Sequence, residues 1–496
     1  MAAYYERLSH LDASFLALES RSTHMHVGGV ALFDAAPMMQ NDGGPAAGLD
    51  IDRIRRFIGS RLHLIPRYRQ RLAYVPLERH PVWVDDEHFN LDYHVRFTAL
   101  PRPGSTDLLM ALAARLASQQ LDRQKPLWEL YVVEGVAGNR FAVISKIHHC
   151  MIDGIAGVDL LAVMLNLAPI GEIEEAIPFV PRPAPTSTEL VVRETARRAG
   201  AAVATARSAR RAVDDAKSVA AQGLRRVRAM AYSLGSGWLT AAPRTPLNGK
   251  VSPIRRFATL ETDLAAVKEI KNALGGSVND VLLATVAGGV RRFFQDVRHF
   301  DVEGVVLRVM APVSVRTRDQ RGSLGNQVAM WLVSLPIEDP EPTSWLAAVA
   351  AETLKLKKTD QALGASTLVQ LSAGAPATLV SLASRLAAGA RPFNLTVTNV
   401  PGPQFPLYLL EAPLLGQYPL VPLWESHGVG IAMFSYDGTV FWGFNADWDV
   451  MPDVDRFVEA IDAAFRELLA AARRATAEPP EPRRRRTPKP RPPLGS

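Results

Sequence analysis

A single cysteine, Cys150, stands in a chain of 496 residues. That excludes a disulfide framework and agrees with a reducing compartment. The opening residues, MAAYYERLSHLD, meet charge at once and lack the apolar core of a signal peptide, so no secretion is expected. Long apolar runs are missing as well. The best uncharged stretch, residues 361–384, contains Gln370 and Pro376 and has little side-chain bulk. It reads as a buried or interfacial helical region broken at Pro376. No G-x-S-x-G occurs, which removes the nucleophile elbow of an α/β-hydrolase. Neither G-x-x-x-x-G-K-[ST] nor G-x-G-x-x-G is present, so nucleotide hydrolysis and a dinucleotide cofactor drop out. Without H-E-x-x-H, and with one cysteine, little remains to build a catalytic zinc site.

What is there begins with size. The length allows about three domains, and a hydrophobic content of 48% is ample for large cores. The formal net charge of +6 is unevenly spread. Residues 189–230 hold ten basic and four acidic side chains, and residues 478–496 hold six and two, which leaves the rest of the chain mildly acidic. The first basic segment lies between two proline-rich stretches, PRPAP at 181–185 and APRTP at 242–246. It reads as a helical linker. Leu224, Val227, Ala231, Leu234 and Trp238 recur at helical spacing there, with Arg225, Arg226 and Arg228 between them. Such a helix suits an anionic lipid surface, or equally a solvated helix packed on its own protein. The second segment, with Arg483 to Arg486 among prolines, reads as a disordered tail, solubilising or surface-binding. It has no interleaved aromatic residues, so no nucleic-acid partner is expected.

The most informative segment is His148-His149-Cys150-Met151-Ile152-Asp153-Gly154, an H-H-x-x-x-D-G pattern. Its approach, FAVISKI at 141–147, is a β-rich run after a turn at Gly138-Asn139, and GIAGVDLLAVMLN at 154–166 has helical spacing. The histidines therefore fall where a strand runs out into a loop. Adjacent strand residues point to opposite faces, so one histidine works and the other is structural unless the strand has already ended. Packing, a metal held by His149 and Asp153, and proton abstraction by a neutral imidazole are three readings of the cluster. The metal reading lacks a third ligand; the last fits a group that titrates near neutral pH.

Further along, residues 255–262 read as a strand and 263–273 as a helix. Gly275-Gly276-Ser277 breaks the chain before a helix over 279–294. Strands follow at 305–316 and 393–400, then a hairpin of 429–436 and 440–445 around Asp437-Gly438, and a closing amphipathic helix at 453–472. Two mixed α/β domains joined by the linker follow from this order. The expected boundaries are 1–180, a linker at 181–250, a second domain at 251–475 and a tail at 476–496. Asn279-Asp280 suits a helix cap or a substrate-side role. Thr398 and Asn399, ahead of Pro401-Gly402-Pro403, suit an oxyanion site or plain turn chemistry. His10, His24 and His26 have only Asp12 as a carboxylate close in sequence, and they read as structural.

H-H-x-x-x-D-G resembles the signature of the acyl-CoA-dependent acyltransferase superfamily. LSHLDASFL at 8–16, THMHVGG at 23–29, PLWE at 126–129, SVNDVLLA at 277–284 and TNVPGP at 398–403 narrow the resemblance to the bacterial wax ester synthase/diacylglycerol acyltransferase family, over roughly residues 5–470. The resemblance implies two similarly folded domains of the chloramphenicol acetyltransferase type, with an active-site tunnel between them. It also implies transfer of a long acyl chain from acyl-CoA, a substrate and not a cofactor, to a diacylglycerol or a long-chain alcohol. His149 is the expected base, with His148 beside it. Thr398 and Asn399, with Asn279, are the candidates facing substrate or oxyanion. Asp153, followed by Gly154, is expected to form a buried structural ion pair with an arginine, for which Arg316 is the choice. No cofactor and no metal are expected, and the expected location is cytoplasmic, at the inner face of the membrane or at lipid droplets. A related enzyme acting on a carrier-bound polyketide or peptide, and a non-catalytic lipid-binding protein, are the alternatives.

Overall fold

The computed structural model describes residues 4–39, 48–151, 163–214, 240–314, 328–358 and 391–477. In the first half the elements are β1 (Glu6–Arg7), α1 (His10–Leu18), β2 (His26–Asp34), α2 (Ile51–Arg61), β3 (Gln70–Tyr74), β4 (Pro81–Asp85), α3 (Leu91–His94), β5 (Val95–Ala99), α4 (Thr106–Ala117), β6 (Trp128–Val136) and β7 (Arg140–His148). Helix α5 (Ser187–Asp214) follows. The second half runs β8 (Arg255–Asp263), α6 (Leu264–Leu274), α7 (Val278–Arg292), β9 (Leu307–Ser314), β10 (Val328–Leu335), α8 (Pro342–Lys358), β11 (Leu395–Pro401), β12 (Tyr408–Leu409), β13 (Ala412–Leu420), β14 (Val429–Tyr436), β15 (Thr439–Asp447) and α9 (Val454–Ala477).

Each half is built on a six-stranded mixed sheet. The first has the order β12-β13-β2-β7-β6-β5 and the second β10-β9-β11-β14-β15-β8; a small sheet, β1-β4-β3, lies beside the first. Strand β7 is paired on both sides, with β2 and β6 antiparallel to it. Residues 141–148 are buried throughout, as expected of a strand covered on both faces. In the second half α7 is enclosed on every side from Asp280 to Val290. Gly288 and Gly289 make that packing possible: a Cβ on the first would fall 2.1 Å from the Trp345 ring and on the second 2.4 Å from Ile461. Helix α9 lays Phe457, Ile461, Ala464, Phe465 and Leu468, a stripe at helical spacing, against α7.

Local patterns read from the sequence recur in the fold. The strand before the histidines, the break at Gly275-Gly276 and the hairpin at Asp437-Gly438 are all present, the last with φ of 43° and 83°. Expectations for 154–166, 361–384, the basic stripe at 224–238 and the tail fall wholly or mostly outside the described residues. Among the features without a counterpart in the sequence reading, two bear on the site. Residues 26–34 form β2, although Gly28 and Gly29 are poor strand formers. Their missing side chains are what the sheet requires, since a Cβ on Gly28 would fall 2.0 Å from the Ser145 carbonyl oxygen and one on Gly29 2.3 Å from that of Tyr418. The second feature is a crossover. Strands β12 and β13, within the span expected to be the second domain, join the first sheet, with β13 pairing β2 from Leu414↔Phe33 to Leu420↔Gly28.

The halves are also tied by polar contacts. Arg255, at the start of β8, donates its N–H to Ser118 Oγ at 2.9 Å and its guanidinium to the Ser22 carbonyl. That guanidinium is buried beside Asp447 at 3.5 Å, and burial lowers its pKa to about 10 against the pull of the carboxylate. The start of α5 packs on the protein itself: Leu190 is buried with Val75, Val82 and Val84, and Glu194 accepts from Tyr5 at 3.0 Å.

Candidate active site

Strand β7 ends at His148, and His149–Met151 form a 3-10 turn. The change of backbone lets the two imidazoles part ways. Three consecutive N–H groups pin the turn: His148 donates to the Leu127 carbonyl at 2.9 Å, His149 to the Met25 carbonyl at 2.7 Å, and Cys150 to Nδ1 of His148 at 3.1 Å. Leu127 belongs to PLWE and Met25 to THMHVGG, so sequence segments a hundred residues apart converge on one turn.

His148 is 1% exposed and faces inward. Its Nε2 lies 3.7 Å from Glu19 Oε2, while His26 Nε2 lies 3.6 Å from Glu19 Oε1. Arg123 holds the same Oε2 at 2.6 Å. Burial by itself would raise the Glu19 carboxyl, but the facing His148 and the Arg123 guanidinium overcome it and hold the pKa at about 2. His26 is pushed well below its ordinary value by burial, with Lys146 and His148 adding to the effect. Behind them Lys146 is buried in contact with Glu129 at 2.9 Å.

His149 is the less buried of the pair. Its ring stacks on Phe15 of α1, centroids 3.9 Å apart at 24°. Nδ1 is enclosed without a hydrogen-bond partner among the described residues. Burial lowers its pKa to about 4, although contact with its own backbone carbonyl pulls the other way. At neutral pH the imidazole is therefore an uncharged proton acceptor. Cys150, fully buried with its thiol pKa pushed up by burial, is no nucleophile.

Chain membership follows from two matches. The model of the wax ester synthase/diacylglycerol acyltransferase catalytic domain matches residues 8–282, and that of the WS/DGAT C-terminal domain matches residues 324–469. The chain belongs to the wax ester synthase/diacylglycerol acyltransferase family. A Mycobacterium tuberculosis (strain CDC 1551 / Oshkosh) relative named "Probable diacyglycerol O-acyltransferase tgs1" is 31% identical over 477 residues, covering 94% of this chain and 96% of that one. The structure of the wax ester synthase/diacylglycerol acyltransferase from Marinobacter aquaeolei VT8 superposes with a TM-score of 0.67 at 25% identity, covering 94% and 99% of the two chains. The starter condensation domain of rhizomide synthetase RzmA shares the fold, with a TM-score of 0.55 at 13% identity over 95% of each chain.

Within the family fold the other expected site residues are scattered. Ser277 caps α7 and Asp280 completes the capping box, accepting also from Thr353 at 2.7 Å. The cap reading thus holds for Asp280, and Asn279 sits in the same first turn. Thr398 and Asn399 lie on β11 opposite Ala432 and Met433. Among the described residues no hydrogen bond or ion pair joins Asn279, Thr398 or Asn399 to His149. Asp153, Gly154 and Arg316 lie outside the described residues, as does their expected ion pair. Between the halves runs a groove of about 710 Å³ lined by Met110, Ser118, Arg255, Phe257 and Trp448 among others; His149 is not part of its lining. Sequence reasoning missed Phe15 and Glu19. Their spacing of four on a helix was visible, but nothing local marked them as partners of residues 148 and 149.

Proposed function

We propose that this enzyme transfers a long acyl group from acyl-CoA to the hydroxyl of a diacylglycerol, and of a long-chain alcohol, with His149 as general base. The carrying observation is the uncharged, half-buried imidazole of His149 at the end of β7, in a chain of this family. His149 takes the hydroxyl proton as the oxygen attacks the thioester carbonyl. The oxyanion collapses, the carbon–sulfur bond breaks, and the proton passes from His149 to the departing thiolate. Ester and free CoA are the products, no acyl-enzyme forms, and no cofactor enters the balance. Thr398 and Asn399 are the proposed oxyanion donors.

Contact with an anionic membrane or droplet surface belongs to the same proposal, and with it a cytoplasmic location. It is supported by the basic residues of the linker and tail. Among the described residues no single helix is long and apolar enough to cross a membrane; the bent pair α6 and α7 passes on length and composition, with a 95° break. The test is purified protein with palmitoyl-CoA, offered a diacylglycerol and a fatty alcohol in parallel, with the lipid products separated. Triacylglycerol or wax ester formed without a carrier protein is the expected result. Absence of both products would overturn the reading.

A further inference from the structure

We infer that Glu19 is a positioning residue for His149, acting through His148, and that α1 supports both imidazoles. The inference rests on His149 being the base. Nδ1 of His148 accepts the Cys150 N–H, so that nitrogen carries no proton and the ring's proton sits on Nε2. A nitrogen used this way has no lone pair to spare for a substrate, which sets His148 apart from the chemistry. Its Nε2 faces the buried carboxylate of Glu19, 4% exposed, with Oε2 3.7 Å away, an ion-pair distance and not a hydrogen bond. Among the described residues Nε2 has no hydrogen-bond partner, and Glu19 is the carboxylate it faces. The anion favours the tautomer that keeps Nδ1 free to accept. That acceptor holds the Cys150 N–H and with it the turn from which His149 projects.

Helix α1 links this to the second imidazole. Phe15 and Glu19 are four residues apart, one turn, and both are held by the helix end, where the Glu19 N–H donates to the Phe15 carbonyl at 3.1 Å. Phe15 stacks on the His149 ring while Glu19 stands behind His148. Ser9 starts the helix by accepting from the Asp12 N–H at 3.1 Å. Helix α1 thus fixes the relation of the two histidines.

The test compares Glu19→Gln, His148→Asn, His148→Leu and the double variant Glu19→Gln/His148→Asn in the full chain, with melting temperature recorded for each. Asparagine offers an amide oxygen near the place of Nδ1 and can accept the Cys150 N–H; leucine cannot. Displacement of the base lowers kcat about 10- to 100-fold in Glu19→Gln and His148→Leu, with KM for either substrate within about twofold of wild type. His148→Asn recovers most of the loss. In the double variant Glu19→Gln adds nothing, since the residue through which it acts is gone. Additive losses, equal activity of the asparagine and leucine variants, or a lower melting temperature with kcat unchanged would overturn the inference. A second measurement is independent of turnover: ¹⁵N-histidine spectra, with His148 assigned among the 11 histidines by its loss in His148→Asn, show the Nε2–H tautomer in wild type and a changed pattern in Glu19→Gln. The other tautomer in wild type would sink the inference whatever the substrates prove to be. Wild-type inactivity on both lipids, with the Nε2–H pattern present, would instead fail the proposed reaction alone.

Discussion

The two halves share a layout and differ in what they bury. Both rest on a six-stranded mixed sheet, yet the first encloses Asp12, His24, His26, Glu129, Lys146 and His148 around the end of β7. Among the described residues the second buries fewer titratable groups, among them Asp280, which completes a capping box, and Asp447, which organises a turn. Asp447 accepts from the N–H groups of Ser252, Asp449 and Val450. Buried charge is costly unless paired, so a protein concentrates it where geometry has to be exact to a fraction of an ångström. The difference teaches that the first sheet holds the imidazoles amid paired buried charge, while the second is a largely apolar packing unit that presents β11 and lends β12 and β13 to the first.

The largest effect expected from breaking this contrast is on turnover. His149→Ala lowers kcat by roughly 10² to 10⁴ with melting temperature little changed, and His148→Ala costs less; steady-state rates and thermal melts measure both. Equal rates for His149→Ala and wild type would end the assignment of chemistry to the first half.

A loss of stability comes next, in the second half. Asp447→Ala strands the buried Arg255 guanidinium and frees several N–H groups, so folding is weakened by about 3 to 5 kcal/mol. Denaturant unfolding measures it, and kcat of the surviving folded enzyme should stay near wild type. Gly288→Ala puts a methyl group 2.1 Å from the Trp345 ring, a clash of about 1 to 3 kcal/mol by the same measurement. A neutral result at either position would mean that the second half tolerates what its packing forbids.

The pH dependence sharpens the comparison further. A base is competent when unprotonated, so kcat/KM stays level from about pH 5 to 8 and falls as pH drops through about 4, the value to which burial lowers His149. A histidine at the ordinary 6.5 would already lose half its rate at that pH. A limb near 6.5 in the measured profile would contradict the half-buried, uncharged base.

The smallest effect concerns neither half. Deleting residues 483–496 weakens binding to anionic vesicles, most at low salt, and leaves turnover on detergent-dispersed substrate unchanged. Vesicle co-sedimentation across a salt series checks this. Binding indifferent to both salt and the deletion would make the tail a solubilising appendage.

The sequence by itself determined whatever depends on neighbours along the chain. The strand at 141–147, the helix break at Gly275-Gly276, the Asp437-Gly438 hairpin and the amphipathic stripe of α9 are set by periodicity and backbone preference over a few residues. The H-H-x-x-x-D-G pattern, being contiguous, marked His149 in the same way. Tertiary structure alone decided which histidine faces inward, because that rests on where β7 ends and on a carboxylate 129 positions away, Glu19, meeting His148. It also decided that Gly28 and Gly29, poor strand formers, lie in a central strand, and that residues 412–420 cross to the other half's sheet. Such pairings gain their energy from contacts that exist only after distant segments meet, so no local pattern announces them.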